Sequence, residues 1–273
     1  MLDFVGQKIG SLLGRGGSSL SVPILDGAFK PNNLLEEAEV LLERHDLEDM
    51  ALAPDGTLFV AAGADVLAIE GGAARLVERH ADRVTALAIL RDGSRVVALG
   101  DRIVIEGRAI PSEAGGRRFK AITALSVMAD GRILICDASA RYDGEQWQYD
   151  LMTKGRSGRV LALEPSSGTA EPLQNDLAWA FGALECRSGV LVSESWRHRL
   201  RFAGKGDATA ELPGYPARIT PTADGGFWLS LFSGRAQIVE FVLQENAFRR
   251  EMMETIDPKH WISPALSSGV DFQ

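Results

Sequence analysis

Counting back seven residues from Asp55, Asp92, Asp130, Ser188 and Asp224 reaches Glu48, Thr85, Thr123, Phe181 and Ala217. Residues at one recurring offset can converge on a single point of a repeating fold. Here they bring together one carboxylate, two hydroxyls, an aromatic ring and a methyl group. A carboxylate among hydroxyls can accept a proton, or can help to hold a hard cation that wants several oxygen ligands. An acid solvated by water at the start of a strand explains Glu48 as well. Arg218, beside Ala217, is a charge that could meet an anionic ligand, or a plain cation at a sheet edge.

Other chemistries lack their residue patterns. His45, His80, His198 and His260 show no HxH or HExxH spacing, and Cys136 and Cys186 fit no metal-ligand spacing and read as buried free thiols. There is no GxSxG elbow, and Gly14-Arg-Gly-Gly17 lacks the Lys of a phosphate loop. If Ser193 to His198 is extended, its alternation puts Glu194, Trp196 and His198 on one face, for function or for a hydrogen-bond network between sheets.

The elements that must position these residues are hairpins. Five times an apolar stretch runs into Asp-Gly or Ser-Gly and a second apolar stretch leaves it, as in Met50-Ala-Leu-Ala-Pro-Asp-Gly-Thr-Leu-Phe-Val60. Glycine tolerates the positive φ of a tight turn between strands. The turn glycines Gly56, Gly93, Gly131, Gly189 and Gly225 are spaced by 37, 38, 58 and 36 residues. A period of about forty residues with several strands marks propeller blades. Third strands are predicted at Val66–Ile69, Arg102–Ile105, Gly158–Leu163 and His198–Phe202, and fourth strands at Thr169–Leu173 and Thr209–Leu212. Trp179 and Trp228 are expected between blades. The long interval carries an insertion, Ala138 to Gly155, with Arg141, Tyr142 and Trp147, expected as a lid or wall over one mouth of the channel.

The expected fold class is therefore all-β, a propeller with five blade repeats visible and the last blade missing or truncated. Residues 1–46 lead in, 47–240 form blades, and 241–273 are helical or irregular. Asn33 to Arg44 fits a short helix or an edge strand. An incomplete ring would expose sheet edges and favour self-association.

Composition narrows the partners. With 29 basic against 37 acidic residues the net charge is −8, which offers no surplus to displace counterions from nucleic acid. No apolar run reaches the roughly 20 residues that a membrane-spanning helix needs. Met1 to Leu13 is apolar but broken by Gly6 and Gly10, and reads as a docking or surface segment of a cytoplasmic protein.

Asp137-Ala-Ser-Ala-Arg-Tyr-Asp143, Gly158-Arg-Val-Leu-Ala-Leu163, Val192-Ser-Glu-Ser-Trp-Arg-His198 and Leu212-Pro-Gly-Tyr-Pro216 through Leu229 resemble, in order and spacing, the central region of strictosidine synthase-like proteins. That family is related to gluconolactonases and paraoxonases. The resemblance implies a six-bladed propeller with a site at one channel mouth. The lactonase relatives hold a divalent cation, usually calcium. Glu48 matches their first-blade Glu, whereas Thr123 and Phe181 stand where Asn is expected and Ala217 where Asp is expected. A true strictosidine synthase would need a catalytic Glu in the last blade, which this sequence does not supply. The implied function is hydrolysis of a lactone or ester, a small-molecule substrate meeting Glu48, Thr123, Arg141, Tyr142, Trp147, Phe181 and Arg218. The alternative is a propeller that binds a ligand or protein and has lost the metal site.

Overall fold

The computed structural model describes residues 22, 23, 30 and 32–261. The expected docking segment, Met1 to Leu13, lies outside them.

The hairpins form where the Asp closes its own turn. Asp55, Asp92, Asp130 and Asp224 accept hydrogen bonds from the N–H of Thr57, Ser94, Arg132 and Gly226 at 2.9–3.0 Å. The following glycines take φ of 85–90°. In the fourth hairpin Ser188 replaces Asp, and Lys205 instead donates to the Ser188 carbonyl.

Four complete blades result. They are β1 (Leu47–Leu52) to β4 (Ala73–Arg79), through β2 (Leu58–Ala62) and β3 (Asp65–Glu70), and β5 (Ala86–Ile89) to β8 (Arg108–Ala109), through β6 (Arg95–Ala98) and β7 (Ile103–Ile105). A small hairpin, β9 (Glu113–Ala114) and β10 (Arg117–Arg118), leads to β11 (Ile122–Val127), β12 (Ile133–Asp137), β13 (Gly158–Leu163) and β14 (Ala170–Leu177). The fourth blade is β15 (Ala180–Cys186), β16 (Gly189–Glu194), β17 (Arg199–Phe202) and β18 (Gly206–Thr209). Among the described residues a fifth unit holds only β19 (Gly214–Pro221) and β20 (Phe227–Gly234). The first strands β1, β5, β11, β15 and β19 pack successively on one another, so the protein is a β-propeller with these strands innermost.

Each blade interface has its own apolar filling. Ala61, Val66, Leu87 and Val97 lie between the first and second blades. Ile103, Ile135 and Leu161 fill the next interface, Leu134, Val160 and Val192 the third, and Leu191, Leu200 and Ile219 the fourth. Full burial of such a side chain contributes about 1.5–3 kcal/mol. Beyond the fifth unit the pattern stops. Trp179 is buried between blades, but Trp228 is 73% exposed because no further described strand covers β20, and Met50 and Leu52 of β1 are 69% and 68% exposed.

Two carboxylates at the ends of second strands bind the chain that feeds the first strands. Asp137 accepts from the N–H of Lys120 and Ala121, and its other oxygen meets Arg159 at 2.9 Å and Arg117 at 3.3 Å. Glu194 accepts from the Ala178 N–H and pairs with Arg199. Both acids are fully buried, so pairing and hydrogen bonding must offset the cost of desolvating their charges.

Some local expectations give way to closer geometry. Asn33 to Arg44 forms one hydrogen-bonded turn at Asn33–Ala38, neither helix nor strand, and its Leu35 and Val40 side chains meet solvent. The fourth strand expected at Thr209–Leu212 is Gly206–Thr209, because the chain reverses immediately after Phe202. Extended backbone ends at Glu194. Ser195–Arg197 is a 3-10 turn and His198 follows it at φ 49°, so Glu194, Trp196 and His198 do not share a strand face.

After β20 the chain forms α2 (Gln237–Gln244) and α3 (Asn246–Thr255), following α1 (Trp147–Met152) of the insertion. α2 is anchored by Glu240, which accepts from the Tyr215 hydroxyl at 2.8 Å and pairs with Arg235 at 3.3 Å. No helix among the described residues is long and apolar enough to cross a membrane.

His198 packs edge-on to Tyr215 beside Glu240. Burial, reinforced by Arg235 and Arg197, pushes its imidazole from 6.5 down to about 3. The unfolded chain therefore takes up a proton below about pH 6.5 that the folded chain refuses until about pH 3, and stability falls as pH drops through that window. His198→Gln is expected to flatten this part of the stability profile in urea titrations. Superimposable slopes for the two proteins would show that His198 binds protons alike in the folded and unfolded chain.

Candidate functional site

The inner strands open onto a cavity of about 820 Å³ at one mouth of the channel. Glu48, Thr85, Thr123, Phe181 and Ala217, the residues at the common offset, all line it. Its lining is mixed. Trp147, Trp179, Phe181 and Phe232 form an aromatic wall, with Phe232 edge-on to Trp147 at 4.8 Å between ring centroids. Asp82, Asp101, Asp143 and Glu145 stand with Arg83 and Lys120 elsewhere on the lining.

Arg218 organises the floor. Its Nη1 donates to the Glu48 carbonyl at 2.6 Å and meets the Asp49 carboxylate at 2.6 Å. Nη2 donates to the carbonyls of Thr85 and Thr123 at 2.7 and 2.8 Å, and Nε reaches Thr123 at 3.2 Å. Four hydrogen bonds and the Asp49 ion pair engage the guanidinium, whose side chain remains 23% exposed. One side chain of the fifth unit thus ties together the inner strands of the first three blades. Burial pushes the Asp49 carboxyl upward, while Arg218 and the N–H groups of Leu87 and Met50 pull against that shift.

Gly182 lets this strand approach. A Cβ there would lie 2.6 Å from the Ala217 carbonyl oxygen and 2.9 Å from the Arg218 Cα, so only glycine allows β15 and β19 to lie so close.

The other ring side chains face their neighbours. Thr85 Oγ1 donates to the Ile122 carbonyl at 2.8 Å and Thr123 Oγ1 to the Ala180 carbonyl at 2.9 Å, each stapling one inner strand to the next. The Glu48 carboxylate is held by Arg83. For calcium this donor set is a poor fit. The ring carbonyls already accept from a guanidinium, the one ring carboxylate is ion-paired, Phe181 and Ala217 offer no oxygen, and a fixed positive charge sits where the oxygens converge.

The insertion reaches the mouth through a capped turn. Asp143 accepts from the N–H groups of Glu145 and Gln146 and starts the 3-10 turn Gly144–Gln146, which delivers Trp147 to the cavity. Arg141 and Tyr142 are not among the lining residues. The Ser139 hydroxyl accepts from both of their N–H groups, and Tyr142 stacks on Tyr149 at 5.8 Å, which turns the pair toward α1. Asp82, Arg83, Lys120 and Phe232 line the cavity without having been singled out in the sequence. The first three stand two or three residues before a ring position, and that offset was the available signal.

The fold is that of a β-propeller. The structure is similar to a gluconolactonase from Xanthomonas campestris (TM-score 0.53, 18% identity, 68% of this chain and 69% of that one) and to a chain of the nidogen/laminin complex (TM-score 0.54, 14% identity, 72% and 77%). In sequence the chain is similar to strictosidine synthase-like proteins and to the adipocyte plasma membrane-associated protein. The latter from Salmo salar is 24% identical over 250 residues, 78% of this chain and 60% of that protein. Protein strictosidine synthase-like 4 of Arabidopsis thaliana is 30% identical over 138 residues, 45% and 35% respectively. The chain thus spans about 60% of the length of the first relative and less of the second. No family model matches it.

Arg218→Ala leaves the Asp49 carboxylate and three carbonyls without their common donor, a loss on the order of 3 kcal/mol. Scanning calorimetry is expected to show a melting temperature lower by roughly 6–12 °C. Arg218→Lys, a point charge with three donors, should recover only part of it. An unchanged melting temperature in the alanine variant would remove Arg218 from the role described.

Proposed function

We propose that the channel-mouth cavity binds an amphipathic, ring-bearing small molecule, and that it does so without metal-assisted chemistry. The observation that carries this reading is the engagement of Arg218, whose charge takes up the converging oxygens where a cation would otherwise sit. The cavity volume lies in the range of small-molecule sites. Trp147 and Phe232 would stack on the apolar part of the ligand, and Lys120, which forms no ion pair among the described residues, would meet a polar group. As part of the same proposal the protein works in a reducing compartment, the cytoplasm, since Cys136 and Cys186 are free thiols in different blades.

Hydrolysis of a lactone or ester at the same mouth is the second reading, and Glu48 favours it. Its carboxylate opens onto the cavity and, if released from Arg83, could draw a proton from an attacking water.

Saturable binding of 1-anilinonaphthalene-8-sulfonate is expected, weakened about tenfold, or roughly 1.4 kcal/mol, by Trp147→Ala or Phe232→Ala and little changed by Trp228→Ala on the open face. The reverse order would move the binding to the open face. A panel of lactones and aryl esters assayed with and without calcium separates the two readings. Turnover abolished by Glu48→Gln would replace simple binding with hydrolysis.

We also propose self-association of two copies through the open side of the ring. β20 is the last described strand of its sheet, and Phe227, Trp228, Met50 and Leu52 lie exposed at that side. Light scattering over a concentration series is expected to show a dimer that Trp228→Lys dissociates. A monomer at every concentration would overturn this.

A further inference from the structure

A second, smaller cavity of about 80 Å³ lies where α1, α2 and the turn before β17 meet. It shares no catalytic candidate with the channel mouth. Lys154, Arg156 and Arg197 line it with Trp196, His198 and Glu240.

Three features set this place apart. The first is unneutralised positive charge in a chain of net charge −8. Lys154 Nζ meets only the Asn246 amide oxygen, at 3.3 Å, and Arg156 Nε donates to the Asp176 carbonyl. Among the described residues no carboxylate forms an ion pair with Lys154, Arg156 or Arg197. The one acid on the lining, Glu240, is already engaged by Arg235 and the Tyr215 hydroxyl. Burial, followed by the neighbouring cations Arg249 and Arg197, lowers Lys154 to about 8.

The second is a buried polar atom left without a hydrogen bond. His198 is only 3% exposed, and its Nε2 has no hydrogen-bond partner, the nearest acid oxygen being Glu240 Oε1 at 3.4 Å. Buried polar atoms are nearly always satisfied, and the residue that carries this orphan lines the cavity. The third is the backbone. Lys154 and His198 both hold left-handed conformations, at φ 56° and 49°, which cost non-glycine residues free energy and here bring both onto one cavity.

We infer that this cavity is a binding site for a compact oxyanion, either free or as the terminal group of a larger molecule, held by Lys154, Arg156 and Arg197 over the His198 ring. Cations with open donors suit an oxyanion, and Arg can meet it through two N–H groups at once. The volume has room for several water molecules or one such group, and none for a ring system. The inference does not depend on what the channel mouth binds.

Trp196 supplies the readout. It lines the small cavity and stacks at 5.1 Å on Trp179, so ligation beside it should alter tryptophan emission. Inorganic phosphate titrated into the full chain at constant ionic strength is expected to change that emission saturably and to raise the melting temperature. Arg197→Gln and Lys154→Asn should each weaken binding at least tenfold, Asn being chosen because it tolerates the left-handed backbone at 154. Phenyl phosphate binding as well as phosphate would mean that the site takes a terminal group, and phosphate alone that it takes the free ion. Should Lys154→Asn fail to fold, Arg197→Gln still decides. A response no larger than that to chloride, or one unchanged in Arg197→Gln, would overturn the inference.

Discussion

The propeller turns on the guanidinium of Arg218. Blades pack laterally through apolar faces, and lateral packing alone does not fix how the inner strands meet at the axis. A planar cation with five donors does, because each N–H demands an acceptor in a set direction. The acceptors are the carbonyls of Glu48, Thr85 and Thr123 and the carboxylate of Asp49. These come from three inner strands, whereas the donor comes from a fourth. The glycine at 182 and the Asp49 contacts to Leu87 and Met50 follow from the need to bring that donor to the centre.

Farther from the axis the same logic recurs with the charges reversed. Asp137 and Glu194 each end a second strand, accept from the N–H groups of the segment entering a first strand, and face an arginine on the third strand. Strand pairing places Asp137 opposite Arg159 and Glu194 opposite Arg199, so register itself brings acid and base together. Arg159 passes the connection on to the carbonyls of Ala114 and Arg117, which fastens the β9–β10 hairpin to the third blade. A buried charge of this kind adds little net stability over an apolar pair, but it admits one arrangement of the chain.

What the sequence could show follows from how local each feature is. An Asp-Gly turn closes within a few residues, so the hairpins, their period and the ring at the common offset were all legible, and the ring does gather around one cavity. Direction within the ring was not. Whether Thr123 faces a ligand or the Ala180 carbonyl depends on a strand more than fifty residues away. Trp228 carries the same apolar signal as Trp179, and only the presence of a neighbouring blade distinguishes a buried indole from an exposed one. Arg141 and Tyr142 were drawn toward α1 by the Ser139 hydroxyl, a short-range bond that composition does not announce.

A guanidinium and a metal ion at a propeller axis are not equivalent. Both cross-link oxygens from several strands, but an ion with an open coordination position can also polarise a substrate or acidify a water. Arg218 offers no coordination position, and its hydrogen bonds to the carbonyls of Glu48, Thr85 and Thr123 hold it in place. It can therefore hold the floor of the cavity and set its potential, and nothing more. Whatever selectivity the mouth has must come from groups with capacity to spare. Those include the aromatic wall of Trp147, Trp179, Phe181 and Phe232, the ammonium of Lys120, and the acids of the lining, Glu48 among them to the extent that Arg83 releases it. Aromatic rings beside charged side chains suit recognition by shape and stacking.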